Sequence, residues 1–223
     1  MLKFKTTYIT ASTKKEMPMR IKVVKMKPKE FYNRFQKTKE RDVRDEWCLR
    51  GDNKCEKFDT RPCCPPVLKL FHQFPRRKRM YLFYVEIRKK EFYKASPLVA
   101  KNQSAEFLWN GGSHKFTRIV SNRISESLSQ DKESQGFRVG GCLGCQWTKK
   151  KYCKFFMPPL EGVGIDLTAV SEEVFGHKMQ WFKMNEGRYI DTMVAIGGVY
   201  TDRNITKQEI KEAIKNACNR SEL

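Results

Sequence analysis

Residues 80–87 read MYLFYVEI, a run rich in aromatic and β-favouring side chains, and short enough for a buried strand. Two further stretches carry the same signal, RIKVVKM at 20–26 and DTMVAIGGVY at 191–200. Helical signals lie between and around them. Pro28 is placed to occupy the first turn of a helix through EFYNRFQK, whose Phe31, Tyr32 and Phe35 share one face. Residues 101–131 read as helical in pieces, interrupted by Gly111 and Gly112. Thr206 and Glu209 form a capping box that opens a last helix, ITKQEIKEAIKNA, with Ile210, Ala213, Ile214 and Ala217 on one face. Strands mixed with helices predict an α+β fold, a single mixed domain with two long cysteine-bearing loops. The expected organisation is a basic arm over 1–44, a cysteine-rich metal-binding domain over 45–203, and a C-terminal helix over 204–223.

The chain has 223 residues, enough to bury one core, and its 39% apolar content separates it from disordered sequences. Lys and Arg number 45 against 25 acidic residues, a net charge of +20 whose field attracts phosphate polymers or acidic proteins. Half of that excess falls in residues 1–41, where thirteen Lys or Arg face three Glu. No run approaches the roughly twenty apolar residues of a membrane span, and the N-terminus lacks the apolar centre of a secretion signal. The expected compartment is the cytoplasm, with no membrane partner. Thiols stay reduced there, so eight cysteines point to metal ligands or reactive groups before a disulfide framework. Cys218, alone in the last helix, reads as a small buried hydrophobe.

The other cysteines fall in two Pro- and Gly-rich loops. The first, 47–66, holds Cys48, Cys55, Cys63 and Cys64, the last followed by Pro65 and Pro66, which set the backbone direction. The second, GGCLGCQWTKKKYCKFFMPP at 140–159, places Cys142 and Cys145 at C-x2-C spacing, with Cys153 near enough to supply a third thiolate. A fourth ligand must come from elsewhere, and Cys64, Cys55 and Cys48 are the candidates. Thiolates suit both zinc and iron-sulfur clusters. A zinc ribbon needs a C-x2-C pair in each loop, and only one pair exists, which favours an iron-sulfur cluster, a 4Fe-4S centre, with zinc as the alternative.

These pieces resemble an uncharacterised family of predicted metal-binding proteins of archaea and anaerobic bacteria, domain of unknown function 2284. The resemblance rests on Cys48, Cys55, Phe58 and Cys64-Pro65-Pro66, then Gly141-Cys142, Cys145 and Cys153-Lys154, then Glu161 with Gly164-Ile165-Asp166. It covers roughly residues 45–200 and implies metal binding, by an iron-sulfur cluster in preference to another centre, without implying a reaction. The family usually carries further cysteines where this chain has Thr148 and Val163. Three thiolates on a four-iron cluster leave one iron open to a substrate, whereas a fourth closes the site and makes it structural or electron-transferring.

No other catalytic constellation is visible. His72, His114 and His177 are isolated in sequence, and Glu161 and Asp166 read as capping or supporting carboxylates. Basic and aromatic residues interleave around the second cysteine loop, where Trp147 stands among Lys149, Lys150, Lys151 and Lys154. Such a surface grips a phosphate backbone and stacks on unpaired bases. With Arg76, Arg77, Lys78 and Arg79 it predicts docking on RNA, ribosomal or transfer RNA in preference to DNA, since no DNA-reading helix motif is present. The alternative is an iron-sulfur redox or sulfur-handling enzyme subunit whose basic surface recruits an acidic protein partner.

Overall fold

The computed structural model describes residues 6–12, 18–37, 64, 68–101, 103–140, 157–180 and 190–219. The elements run β1 (Thr6–Ser12), β2 (Pro18–Met26), α1 (Pro28–Phe35), a 3-10 turn (Phe71–Gln73), β3 (Arg79–Arg88) and α2 (Lys89–Ala95). They continue through the one-turn α3 (Pro97–Ala100), α4 (Ala105–Leu128), β4 (Ser134–Phe137), α5 (Leu167–Phe175), β5 (Thr192–Thr201) and α6 (Lys207–Asn219).

The MYLFYVEI run is the middle of the molecule. It forms β3, and Met80 to Ile87 are all buried. One antiparallel sheet has the order β1-β2-β3-β5-β4, with Val85 opposite Ile21 on one side and Ala195 on the other. Successive side chains of a strand point to opposite faces, so β3 feeds two cores. Tyr81, Phe83, Val85 and Ile87 pack with Trp109, Phe116, Val120 and Ile124 of α4 and with Ile210, Ala213 and Ile214 of α6. Met80, Leu82 and Tyr84 pack with Phe31 and Phe35 of α1, Phe71, and Val170 and Val174 of α5. The chain is therefore an α+β layered fold, helix on sheet on helix.

The segments expected to flank the domain enter these cores. β2, from the basic arm, pairs with β3 along seven residues, and its Met19, Ile21 and Val23 join the α4 side. α6 is capped as the sequence predicts: the Thr206 N–H donates to Glu209 Oε2 at 2.8 Å, and the Glu209 N–H returns to Thr206 Oγ1 at 3.2 Å. Cys218 on α6 is buried, and burial pushes its thiol up to about 11, so it stays a neutral hydrophobe.

The expected break at Gly111 and Gly112 does not occur, because α4 is one continuous helix from Ala105 to Leu128. Tertiary packing overrides the local cost of two glycines. A Cβ on Gly112 would stand 3.3 Å from the Phe92 ring, so the bare position lets α2 approach. The same logic holds where α4 crosses β5. Ser113, Thr117, Ser121 and Ser125 are fully buried at four-residue spacing, and a Cβ on Gly197 would lie 2.6 Å from Ser121 Oγ. Trp109 ties the helix to the chain just before β5 by donating from Nε1 to the Ile190 carbonyl at 2.7 Å.

Gly197→Ala should lower the unfolding free energy by about 1–3 kcal/mol in urea titrations, by overpacking the helix–sheet contact. Gly111→Ala, with nothing within 4 Å of the added methyl, should raise it by about 0.5–1 kcal/mol. Equal effects at the two sites would contradict the packing described.

Candidate metal centre

Of the cysteines proposed as ligands, Cys64 is described, and it is buried at 7% exposure. Cys48, Cys55, Cys63, Cys142, Cys145 and Cys153 lie outside the described residues, as do Trp147, Lys149, Lys150, Lys151 and Lys154. Among the described residues no group of three or more His, Cys, Asp or Glu is gathered so as to hold a metal ion. What the structure shows is how the ends of both cysteine segments are held.

Backbone hydrogen bonds tie these ends to one stretch, 158–166, whose Leu160, Val163 and Ile165 belong to the α1/α5 side of the sheet. The chain enters the first cysteine segment after α1, where the Lys37 N–H donates to the Gly164 carbonyl at 3.1 Å and Gln36 bridges Ile165. The Asp166 N–H donates back to the Phe35 carbonyl at 2.9 Å. The chain returns through Cys64, whose carbonyl accepts from the Leu68 N–H at 3.1 Å, to Phe71, whose N–H donates to the Val163 carbonyl at 2.9 Å. The second segment leaves after β4, and there the Arg138 N–H donates to the Pro158 carbonyl at 3.1 Å beside a parallel bridge to Pro159.

The 158–166 stretch holds its shape through its own bonds. The Val163 N–H reaches the Pro159 and Leu160 carbonyls, the Gly164 N–H reaches Glu161, and the Ile165 N–H reaches Leu160. Gly164 has φ of 88°, a left-handed conformation that a side chain resists. Leu160, Val163 and Ile165 are fully buried, so Val163, where the family often has cysteine, is core. Beneath lies an aromatic floor: Phe71 meets Phe31 at 5.3 Å, Phe137 at 5.7 Å and Tyr200 at 5.1 Å between ring centroids.

The two carboxylates of the stretch differ. Asp166 caps α5, its Oδ1 accepting from the Ala169 N–H at 3.0 Å, and its Oδ2 lies 3.6 Å from Lys37 Nζ, so its capping role is as expected. Glu161 caps nothing. Glu161 Oε2 is buried with no hydrogen-bond partner, and burial pushes the carboxyl up to about 7 against a small opposing pull from its own backbone amide. An orphaned acidic oxygen next to the stems of thiol-rich segments suits a cation, which would offset the desolvation of the charged form.

Sequence reading missed a second group at this place. The Gln36 side-chain amide and His72 Nδ1 are 2.8 Å apart, and Tyr32 packs on the same imidazole at 5.6 Å. His72 therefore stands beside the entrance of the first cysteine segment and is not isolated. No spacing rule links residues 36 apart, since only the 3-10 turn brings them together.

The basic cluster ahead of β3 is used internally in part. Arg77 Nη1 donates to Asp202 Oδ2 at 3.0 Å, the Lys78 N–H donates to Asp202 Oδ1 at 3.0 Å, and Arg79 donates to the Asp202 carbonyl. The Arg77 hydrogen bond is the main cause holding the Asp202 carboxyl below its ordinary range. Arg76 and Lys78 remain exposed.

Because Glu161 keeps its proton longer in the folded than in the unfolded chain, stability should fall as pH rises from the ordinary value of 4.5 to about 7. The loss is about 3 kcal/mol, measured by urea unfolding of chelator-treated, reduced protein. Glu161→Gln should remove that slope, and an unchanged slope would show that Glu161 is not the buried acid described.

No curated protein and no solved structure matches the chain. Among the described residues, no helix is long and apolar enough to cross a membrane. A family profile does match, that of the predicted metal-binding proteins of DUF2284, over residues 36–199. That span begins at Gln36, where the first cysteine segment is anchored, takes in both cysteine segments and the 158–166 stretch, and ends in β5. The chain belongs to the DUF2284 family of predicted metal-binding proteins.

Proposed function

We propose that the protein holds an iron-sulfur cluster, in preference to zinc, through Cys142, Cys145 and Cys153, with Cys64, Cys55 or Cys48 completing the thiolate set. One observation carries this reading: the stems of both cysteine segments hydrogen-bond to the same short stretch of chain. Thiolates distant in sequence are thereby supplied from neighbouring anchor points, which lowers the entropy cost of gathering them. The donor set suits a soft metal centre. Glu161 is the carboxylate of the anchoring stretch with an orphaned oxygen, one able to share the centre's charge.

The basic surface gives this protein its partner in the same proposal. With a net charge of +20, it docks on RNA through Lys149, Lys150, Lys151, Lys154 and Trp147, assisted by exposed Arg76 and Lys78. Arg77 and Arg79 leave that contact set, because Asp202 occupies them. A second reading, a redox or sulfur-handling subunit with an acidic protein partner, is favoured by Glu161: a carboxyl pushed to about 7 beside a metal centre is suited to moving protons.

Anaerobic purification separates these readings. The expected product is brown and contains iron and acid-labile sulfide. Cys142→Ser and Cys145→Ser should abolish both, and Glu161→Gln should speed metal loss to a chelator by about tenfold. Zinc without sulfide overturns the cluster assignment. Co-purifying nucleic acid that dissociates with rising salt supports the RNA reading, whereas a reducible cluster in protein free of nucleic acid supports the redox reading.

A further inference from the structure

Among the described residues, several arginines have acidic partners. Arg20 pairs with Glu86 and Glu91, Arg34 with Glu173, Arg77 with Asp202, Arg88 with Glu86, and Arg203 with Asp131 and Glu209. Arg118 and Arg138 break the pattern. Arg138 follows the last residue of β4, its backbone held by the Pro158 carbonyl, and its Nε is buried with no hydrogen-bond partner. Arg118 projects from α4 over the same place. A Cβ on Gly140 would stand 3.6 Å from Arg118 Cδ and 3.8 Å from its Nη1, so the guanidinium lies across a bare, left-handed glycine with φ of 69°.

Burial and, after it, the charge of Arg138 hold Arg118 below its ordinary range, and no carboxylate of the described residues acts on it. Asn122, one turn further along α4, fixes the strand end by accepting the Val139 N–H at 2.7 Å. The result is a corner at the root of the second cysteine segment, two residues before Cys142, where two partly buried cations act on each other with no counter-charge among the described residues. Packing of the arginine stems does not explain this arrangement, since apolar or neutral side chains would fill the corner without the repulsion.

We infer that Arg118 and Arg138 form a binding site for an oxyanion, the phosphate or carboxylate group of a small molecule, at the root of the Cys142 loop. Planar guanidinium forks match both groups through paired N–H donors, and two forks enclose one such group better than an extended polyanion. The site stands on its own residues, whether or not the thiols hold a metal.

Calorimetric titration of the full-length protein with inorganic phosphate and with malonate, at constant ionic strength in chloride, tests the site. Binding of at least one of them is expected, weakened at least about tenfold by Arg118→Gln or Arg138→Gln and unchanged by Lys115→Gln, which removes an exposed charge from the same helix. In buffer free of both anions the two arginine variants should unfold at the same or a higher temperature than the parent, because a repulsion is relieved. Four results would overturn the inference: neither anion binding the parent, equal binding by parent and variants, a short RNA oligomer binding where both small anions fail, or variants that lose stability without anion.

Discussion

The rest of the structure depends on the hydrogen bonding of residues 158–166. This stretch joins the end of α1, the 3-10 turn and the end of β4 through main-chain bonds of 2.9–3.1 Å, and it then delivers Asp166 as the cap of α5. Each bond contributes about 1 kcal/mol net, so their importance is positional more than energetic. The stretch is buried through Leu160, Val163 and Ile165, and its bonds are shielded from water, which makes them costly to leave unmade. Chain segments that share no sequence proximity are thereby brought to one stretch of chain. A centre built from thiols on two such segments needs this kind of foundation, since the thiols are far apart in sequence.

Charge is distributed over the same frame in two ways. Around the end of β5, Asp202 gathers Arg77, Lys78 and Arg79, turning a conspicuous basic run into a fixture that holds the start of β3 to the end of β5. At the root of the second cysteine segment the opposite holds, because Arg118 and Arg138 are brought together with no acid between them. Folding into such an arrangement costs stability, and functional sites are where such costs are retained. Glu161 is a second instance, a carboxyl kept from water with one oxygen unsatisfied. The unmatched Arg138 and the unmatched Glu161 stand before and after the second cysteine segment in the chain.

The strands and helices were legible where one signal dominated. MYLFYVEI, RIKVVKM and DTMVAIGGVY are strands because aromatic and branched side chains fit a pleated surface buried on both faces, and the Thr206–Glu209 box is local chemistry that needs no tertiary context. Cys218 was legible for the same reason, lying on the apolar face of a periodic helix. α4 was misread as broken because glycine lowers helix propensity locally, whereas the approach of Phe92 and the crossing over Gly197 are set by distant partners. The RRKR run looked like an unbroken basic patch because Asp202, its acceptor, is more than a hundred residues away.

What the sequence by itself determined is the chemistry available: the thiols and their spacing, the excess of positive charge, the class of fold and the family pattern from Gln36 onward. The tertiary structure alone decided the neighbours. It set Gln36 against His72, Arg118 over Gly140 beside Arg138, and the stems of both cysteine segments on one stretch. The reason is physical: spacing along a chain encodes only contacts within a helix turn or across a hairpin, while these pairings arise from sheet order and from which face of β3 each connecting segment is forced to cover.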